Sequence, residues 1–80
     1  MEPEPNGSET TTNRVVSRNI RKARGYAVLS QEQLATELGV SARAVRHWEN
    51  GDREPSLDTL RAISSATGLS LSFLIGEEAA

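Results

Sequence analysis

Between Asn13 and Gly25 the apolar residues Val16, Ile20 and Ala23 recur at intervals of four and three, with basic residues between them. That is the period of an amphipathic helix, and Gly25 is the expected stop. Ser30 and Gln33 have the S-x-x-Q form of a capping box, which opens a second helix at Gln31. Leu34, Ala35 and Leu38 mark its buried face, and Gly39 ends it because glycine accepts the positive φ of a helix exit. Val40 adds to the apolar wall. Ser41 is the N-cap of a third helix running from Ala42 to about Asn50, and Asn50-Gly51 marks its end. Pro55 and Ser56 open a fourth helix, whose stripe is Leu57, Leu60, Ile63 and Ala66 before Gly68. Ser70 caps a short fifth helix, Leu71 to Ile75, closed by Gly76. No stretch alternates with the period of a strand. The pattern predicts an all-α fold, a compact five-helix bundle over residues 13–76.

Residues 1–12 have no apolar residue after Met1 and are built from Pro, Gly, Ser, Thr, Asn and Glu. Such a segment cannot bury enough surface to offset its ordering entropy, so a disordered acidic arm is expected there. Residues 77–80 are expected to form a short acidic tail.

Charge changes the picture once it is divided the same way. The whole chain carries a net −2. Glu2, Glu4, Glu9, Glu77 and Glu78 lie in the two end segments, and residues 13–76 hold nine Lys/Arg against six Asp/Glu, a body of +3. Arg14, Arg18, Arg21, Lys22 and Arg24 crowd the first helix. The body, not the ends, is the part that meets a partner, and it suits a polyanion.

Composition removes other classes. There is no cysteine and one histidine, so no disulfide, thiolate site or histidine-rich metal site is expected, and no cofactor. No nucleophile–base pair can be nominated, and 80 residues leave little room for a substrate cleft, so the chain does not read as an enzyme. No apolar run approaches the roughly 20 residues of a membrane span, and no signal peptide is evident. The narrow apolar stripe of the first helix argues against a membrane surface.

Residues 31–50, QEQLATELGVSARAVRHWEN, join two helices through a short glycine turn. Ala35 is small where helices cross closely, Gly39 sits at the turn, and Val45 points into the angle between the helices; Trp48 completes the wall. This unit, with Ile20-Arg21-Lys22, REPS at 53–56 and GLSLSFLIG at 68–76, resembles the Xre/Cro-type helix-turn-helix domains of phage repressors and small bacterial regulators. The resemblance covers about residues 14–76. It implies a lambda-repressor-like bundle that binds double-stranded DNA. It also implies phosphate contacts from Gln31 and Ser41 at two helix starts, and a structural pair between Arg21 and Glu49. Two features depart from the family: the connection from Gly25 to Ser30 is longer than usual, and Asp52 stands where a base is common.

At roughly 100° per residue, Ala44, Val45 and Trp48 share one side of the third helix. Ala42, Arg43, Arg46, His47 and Asn50 share the other. Arg43 and Arg46 are candidates for bidentate contacts to guanine, Ala42 for a thymine methyl, and His47 for a base edge or a phosphate. Asn50 and Arg53 are further phosphate candidates. The bland alternative for Arg43, Arg46, His47, Gln31 and Arg53 is a solvated or structural role; Trp48 reads as core.

The expected function is a sequence-specific transcriptional regulator of the repressor type, acting in the cytoplasm on the nucleoid. The alternative is a protein-binding module, such as an antitoxin or adaptor on the same fold. Leu71, Phe73, Leu74 and Ile75 are more apolar residues than one short helix readily buries, so they are the expected surface of a weak homodimer that pairs on DNA.

Overall fold

The computed structural model describes residues 5–77. They form five α-helices: α1 Pro5–Tyr26, α2 Gln31–Leu38, α3 Ala42–Asn50, α4 Leu57–Thr67 and α5 Leu71–Leu74. No strand occurs among the described residues. One core joins all five helices. It holds Val16, Ile20 and Ala23 of α1, Leu34 and Ala35 of α2, Val45 and Trp48 of α3, Leu60 and Ile63 of α4, and Leu74 of α5. The apolar periodicity of the chain therefore marks the buried face of each helix.

Local chemistry starts and stops the helices where the sequence indicates. Ser30, Ser41, Ser56 and Ser70 are extended N-caps whose side chains accept from the backbone N–H three residues on. At Ser30 the capping box is complete, because Gln33 Oε1 accepts from the Ser30 N–H at 2.8 Å. Gly39, Gly51 and Gly68 take left-handed conformations at the ends of α2, α3 and α4.

Four details differ from the expectation. Helix α1 begins at Pro5, not near Asn13. Want of apolar residues prevents a segment from nucleating or packing, but a helix already anchored by a core extends without a new nucleation step. Proline suits a first helical position, since its missing N–H would have no partner there. The part of the arm at 1–4 and the tail at 78–80 lie outside the described residues. Second, α1 passes through Gly25 to Tyr26. Third, Val40 and Leu57 are exposed rather than core; Val40 follows the turn glycine and Leu57 opens α4 ahead of the residues that face inward. Fourth, α5 ends at Leu74, with Ile75 as its cap.

The last helix is less available than its composition suggests. Leu74 is fully buried, and Leu71, Phe73 and Ile75 are partly buried against the core. Phe73 meets Tyr26 edge-on, with ring centroids 6.2 Å apart. Asn19 Nδ2 donates to the Phe73 carbonyl at 2.9 Å, tying α5 to α1. Among the described residues, the large apolar side chains left exposed are Tyr26, Val28, Val40 and Leu57.

Candidate nucleic-acid interface

Helix α3 has a locked side and an open side. On the locked side, Val45 and Trp48 enter the core, and the Glu49 side chain is buried to 1% exposure. Such a carboxylate needs partners. Arg24 grips it with two bonds, Nε to Oε2 at 2.6 Å and Nη2 to Oε1 at 3.0 Å. Gln31 Nε2 donates to the same Oε1 at 3.0 Å. Arg21 is secondary: its Nη2 donates to the Glu49 carbonyl at 2.9 Å, and its Nε stands 3.9 Å from Oε1. One carboxylate thus joins α1, α2 and α3 and fixes how α3 is presented.

Two expectations change here. The expected Arg21–Glu49 pair is present, but the main partner of the carboxylate is Arg24. Arg24 follows Ala23 on the inner edge of α1 and reaches the buried acid in a fork, whereas the Arg21 side chain is 56% exposed. The hydrogen bond to Glu49 raises the Arg24 guanidinium above its ordinary pKa, against the opposing effect of burial, so the arginine stays charged. Gln31 turns its amide toward Glu49 rather than standing free at the start of α2. Its remaining amide hydrogen is what the side chain can offer a phosphate.

On the open side, Arg43, Arg46 and Asn50 are exposed and His47 is half-exposed. Ser41, Arg43, Ala44, His47, Trp48 and Arg53 line one concavity of about 350 Å³. Four of the sequence-nominated contact residues, Ser41, Arg43, His47 and Arg53, are therefore brought together. Arg46 projects from the same helix outside that hollow. Ala42 is only partly exposed, because it leans on the core as well as on the outer face. The Ser41 hydroxyl accepts from the Ala44 N–H at 3.1 Å, so its cap role is already in use. Asn50 lies on the far edge of α3, lining a second hollow with Arg14, Arg18 and Arg21.

After α3 the chain is tied back at two points. Asn13 Nδ2 donates to the Gly51 carbonyl at 2.8 Å, which holds the exit of α3 against α1. His47 Nδ1 lies 3.4 Å from Asp52 Oδ2. Sequence reasoning treated Asp52 only as a repulsive charge; its contact with His47 was missed. The signal was present in Asn50-Gly51, since a left-handed glycine after a helix returns the next residue over the one five positions earlier.

The helix-turn-helix family model matches residues 18–74. That span holds α2, the Gly39 turn and α3, with most of the supporting bundle. The chain belongs to the helix-turn-helix family, in its Xre/Cro-type form. Among curated helix-turn-helix proteins, this domain is 37% identical over 62 residues to the uncharacterized HTH-type transcriptional regulator YqaE of Bacillus subtilis (strain 168), covering 78% of this chain and 53% of that protein. It is 35% identical over 63 residues to the immunity repressor protein of Bacillus phage phi105, covering 79% of this chain and 44% of the repressor. It is 41% identical over 51 residues to the HTH-type transcriptional activator BcrR of Enterococcus faecalis, covering 62% of this chain and 25% of the activator. The helix-turn-helix chain thus spans about half, or less, of the length of these relatives.

Among the described residues no cluster of His, Cys, Asp and Glu could hold a metal ion. No described helix is long and apolar enough to cross a membrane.

Proposed function

We propose that this helix-turn-helix chain is a sequence-specific double-stranded DNA-binding transcriptional regulator that places α3 in the major groove. The observation that carries this reading is the division of α3. Its inner face is held by the core and by the Glu49 cluster, while Arg43 and His47 stand outward beside Arg53, and Arg46 projects from the same helix. An outward helix face that is cationic and short at its start fits a groove and positions guanidinium groups for guanine O6 and N7. Gln31, Ser41, Asn50 and Arg53 serve the phosphates flanking that groove. Residues 13–76 act as the DNA-binding domain, with the acidic ends outside the interface. No catalytic step is part of this function.

The named relatives include both a repressor and an activator. Occupying a promoter is the simplest use of one DNA-reading domain, so repression is the favoured output, exerted on the nucleoid in the cytoplasm. Two copies pairing on DNA would place recognition helices about 34 Å apart on one face of the duplex. With the last helix largely packed, the exposed Tyr26 and the partly buried Phe73 beside it are the apolar side chains there that such a contact would use.

Selection of bound duplexes from a random library tests the function directly. A defined site, bound less tightly as salt rises, is the expected result. In titrations on that site, Arg43→Ala and Arg46→Ala each weaken binding by about 1–3 kcal/mol, relax preference at one base pair and leave the thermal melt unchanged. Equal affinity of both variants and the parent chain would remove α3 from the groove. Enrichment of no sequence, together with capture of a folded protein partner by the α3 face, would favour the protein-binding module. Sedimentation on duplexes with one or two half-sites tests pairing: a shift from 1:1 to 2:1 complexes is expected only on the symmetric duplex.

A further inference from the structure

The end of α3 has a specific backbone form. The Gly51 N–H donates to the Trp48 carbonyl and the Asp52 N–H to the His47 carbonyl, at 3.3 and 2.9 Å, with Gly51 at φ 81°. These two bonds make a Schellman motif, which sets the residue after the glycine over the residue three positions before the helix cap. An apolar contact usually occupies that place. Here it is filled by a carboxylate and an imidazole, Asp52 Oδ2 and His47 Nδ1 at 3.4 Å. The pairing therefore follows from the backbone and not from a chance meeting of two surface side chains.

We propose that Asp52 sets the hydrogen-bond polarity of His47, so that the recognition helix offers an acceptor at this position. An ionised carboxylate can only accept, so the ring nitrogen facing it must carry the proton. A neutral imidazole has one N–H. With that proton on Nδ1, Nε2 presents a lone pair. Asp52 thus acts as a positioning residue, and the inference rests on the groove reading of α3 for its consequence. Arg43 and Arg46 can only donate and suit guanine O6 and N7. His47 with a free Nε2 lone pair suits the amino groups of cytosine N4 or adenine N6 and disfavours guanine or thymine at the same place. The acidic side chain that appears adverse to a polyanion then becomes part of its discrimination between bases.

His47 is the sole histidine of the chain, so its ring nitrogens give an unambiguous signal. The first measurement is long-range proton–nitrogen correlation on the full chain, free of DNA and with the ring neutral. The Nδ1–H form is expected to dominate in the parent and in Asp52→Asn, whose amide oxygen still accepts, and to give way to Nε2–H in Asp52→Ala. A parent ring dominated by Nε2–H, or an Asp52→Ala ring unchanged from the parent, overturns the proposal. The second measurement is duplex selection. Asp52→Ala should lose about tenfold of its preference at the one base pair facing His47, with Asn restoring it and the Arg43 and Arg46 positions unaffected. A correct tautomer with unaltered base preference overturns the discriminating role. If no duplex is selected by the parent chain, the groove reading fails, and the nitrogen spectra alone decide whether Asp52 holds the ring.

Discussion

Helices α1 and α3 end in the same backbone turn, built from different residues. At α3 the left-handed position is Gly51, φ 81°. At α1 it is Val28, φ 58°, with the Val28 N–H donating to the Gly25 carbonyl and the Leu29 N–H to the Arg24 carbonyl, both at 3.0 Å. Glycine enters this conformation freely, whereas a β-branched residue is strained there by about 1–3 kcal/mol. Val28 gains nothing from packing, being 84% exposed. Its neighbours hold it in place. Leu29 packs on the core, and Arg24, already fixed on Glu49, donates from Nη1 to the Leu29 carbonyl at 3.0 Å. Local chemistry makes the exit of α3, and tertiary ties impose the exit of α1. The longer connection between α1 and α2 is where that imposed turn lies.

The strongest way to break the comparison is Arg24→Ala. It removes the fork on the buried carboxylate and the bond to Leu29 together, leaving Glu49 with Arg21 and Gln31. A loss of about 3 kcal/mol in denaturant unfolding is expected, since one partner of a buried pair is stranded. A paired change, Arg24→Met with Glu49→Leu, should recover much of it, because neither charge then remains buried. Recovery with loss of DNA affinity would show that the cluster aims α3 as well as stabilising it.

Gly51→Ala comes next. A Cβ there would lie 3.6 Å from Ser17 Oγ and 3.7 Å from Asn13 Nδ2, ordinary contact distances, so the cost is backbone strain of about 1–2 kcal/mol. The same change should loosen the turn that brings Asp52 to His47. Chemical-shift changes confined to Ser17 and Asn13, with the His47 ring unaffected, would argue against that coupling.

Val28→Gly should act in the opposite sense. It relieves the left-handed strain, and after the greater chain entropy of glycine is set against it, a gain of roughly 0.5–1 kcal/mol is expected by thermal unfolding. Destabilisation would mean that Val28 is held by something other than its neighbours. Gly25→Ala is the smallest and simplest change. Gly25 is exposed inside the last turn of α1, and nothing lies within 4 Å of where its Cβ would be. A gain of about 0.5–1 kcal/mol from helix propensity alone is expected, with DNA affinity unaltered.

Much of the fold was legible because short-range rules governed it. Four serine caps, three turn glycines and the apolar periods locate α2 to α5 to within a residue, and Leu34, Ala35, Val45, Trp48, Leu60 and Ile63 are core as their spacing indicates. The start of α1 was not legible, because a helix anchored by a core extends without a second nucleation cost, and the anchor lies outside the added residues. At the interface, the outward position of Arg43 and Arg46 follows from helical geometry once Val45 and Trp48 point inward. Arg24 was overlooked because its partner lies 25 residues away, and no local pattern links them.

The sequence by itself determined most of the residues that turn inward, where the caps and glycine exits fall, and that α3 carries a cationic outer face. Those are consequences of side-chain period and of backbone preferences within a few residues. Only the tertiary structure decided that Arg24 joins Arg21 on Glu49 and forks its carboxylate, that Gln31 is drawn to the same group, and that a valine closes α1 in a glycine-like turn. Each of those depends on one buried charge on α3 whose partners arrive from α1 and α2. Removing that charge from water is costly enough to dictate where distant side chains must go.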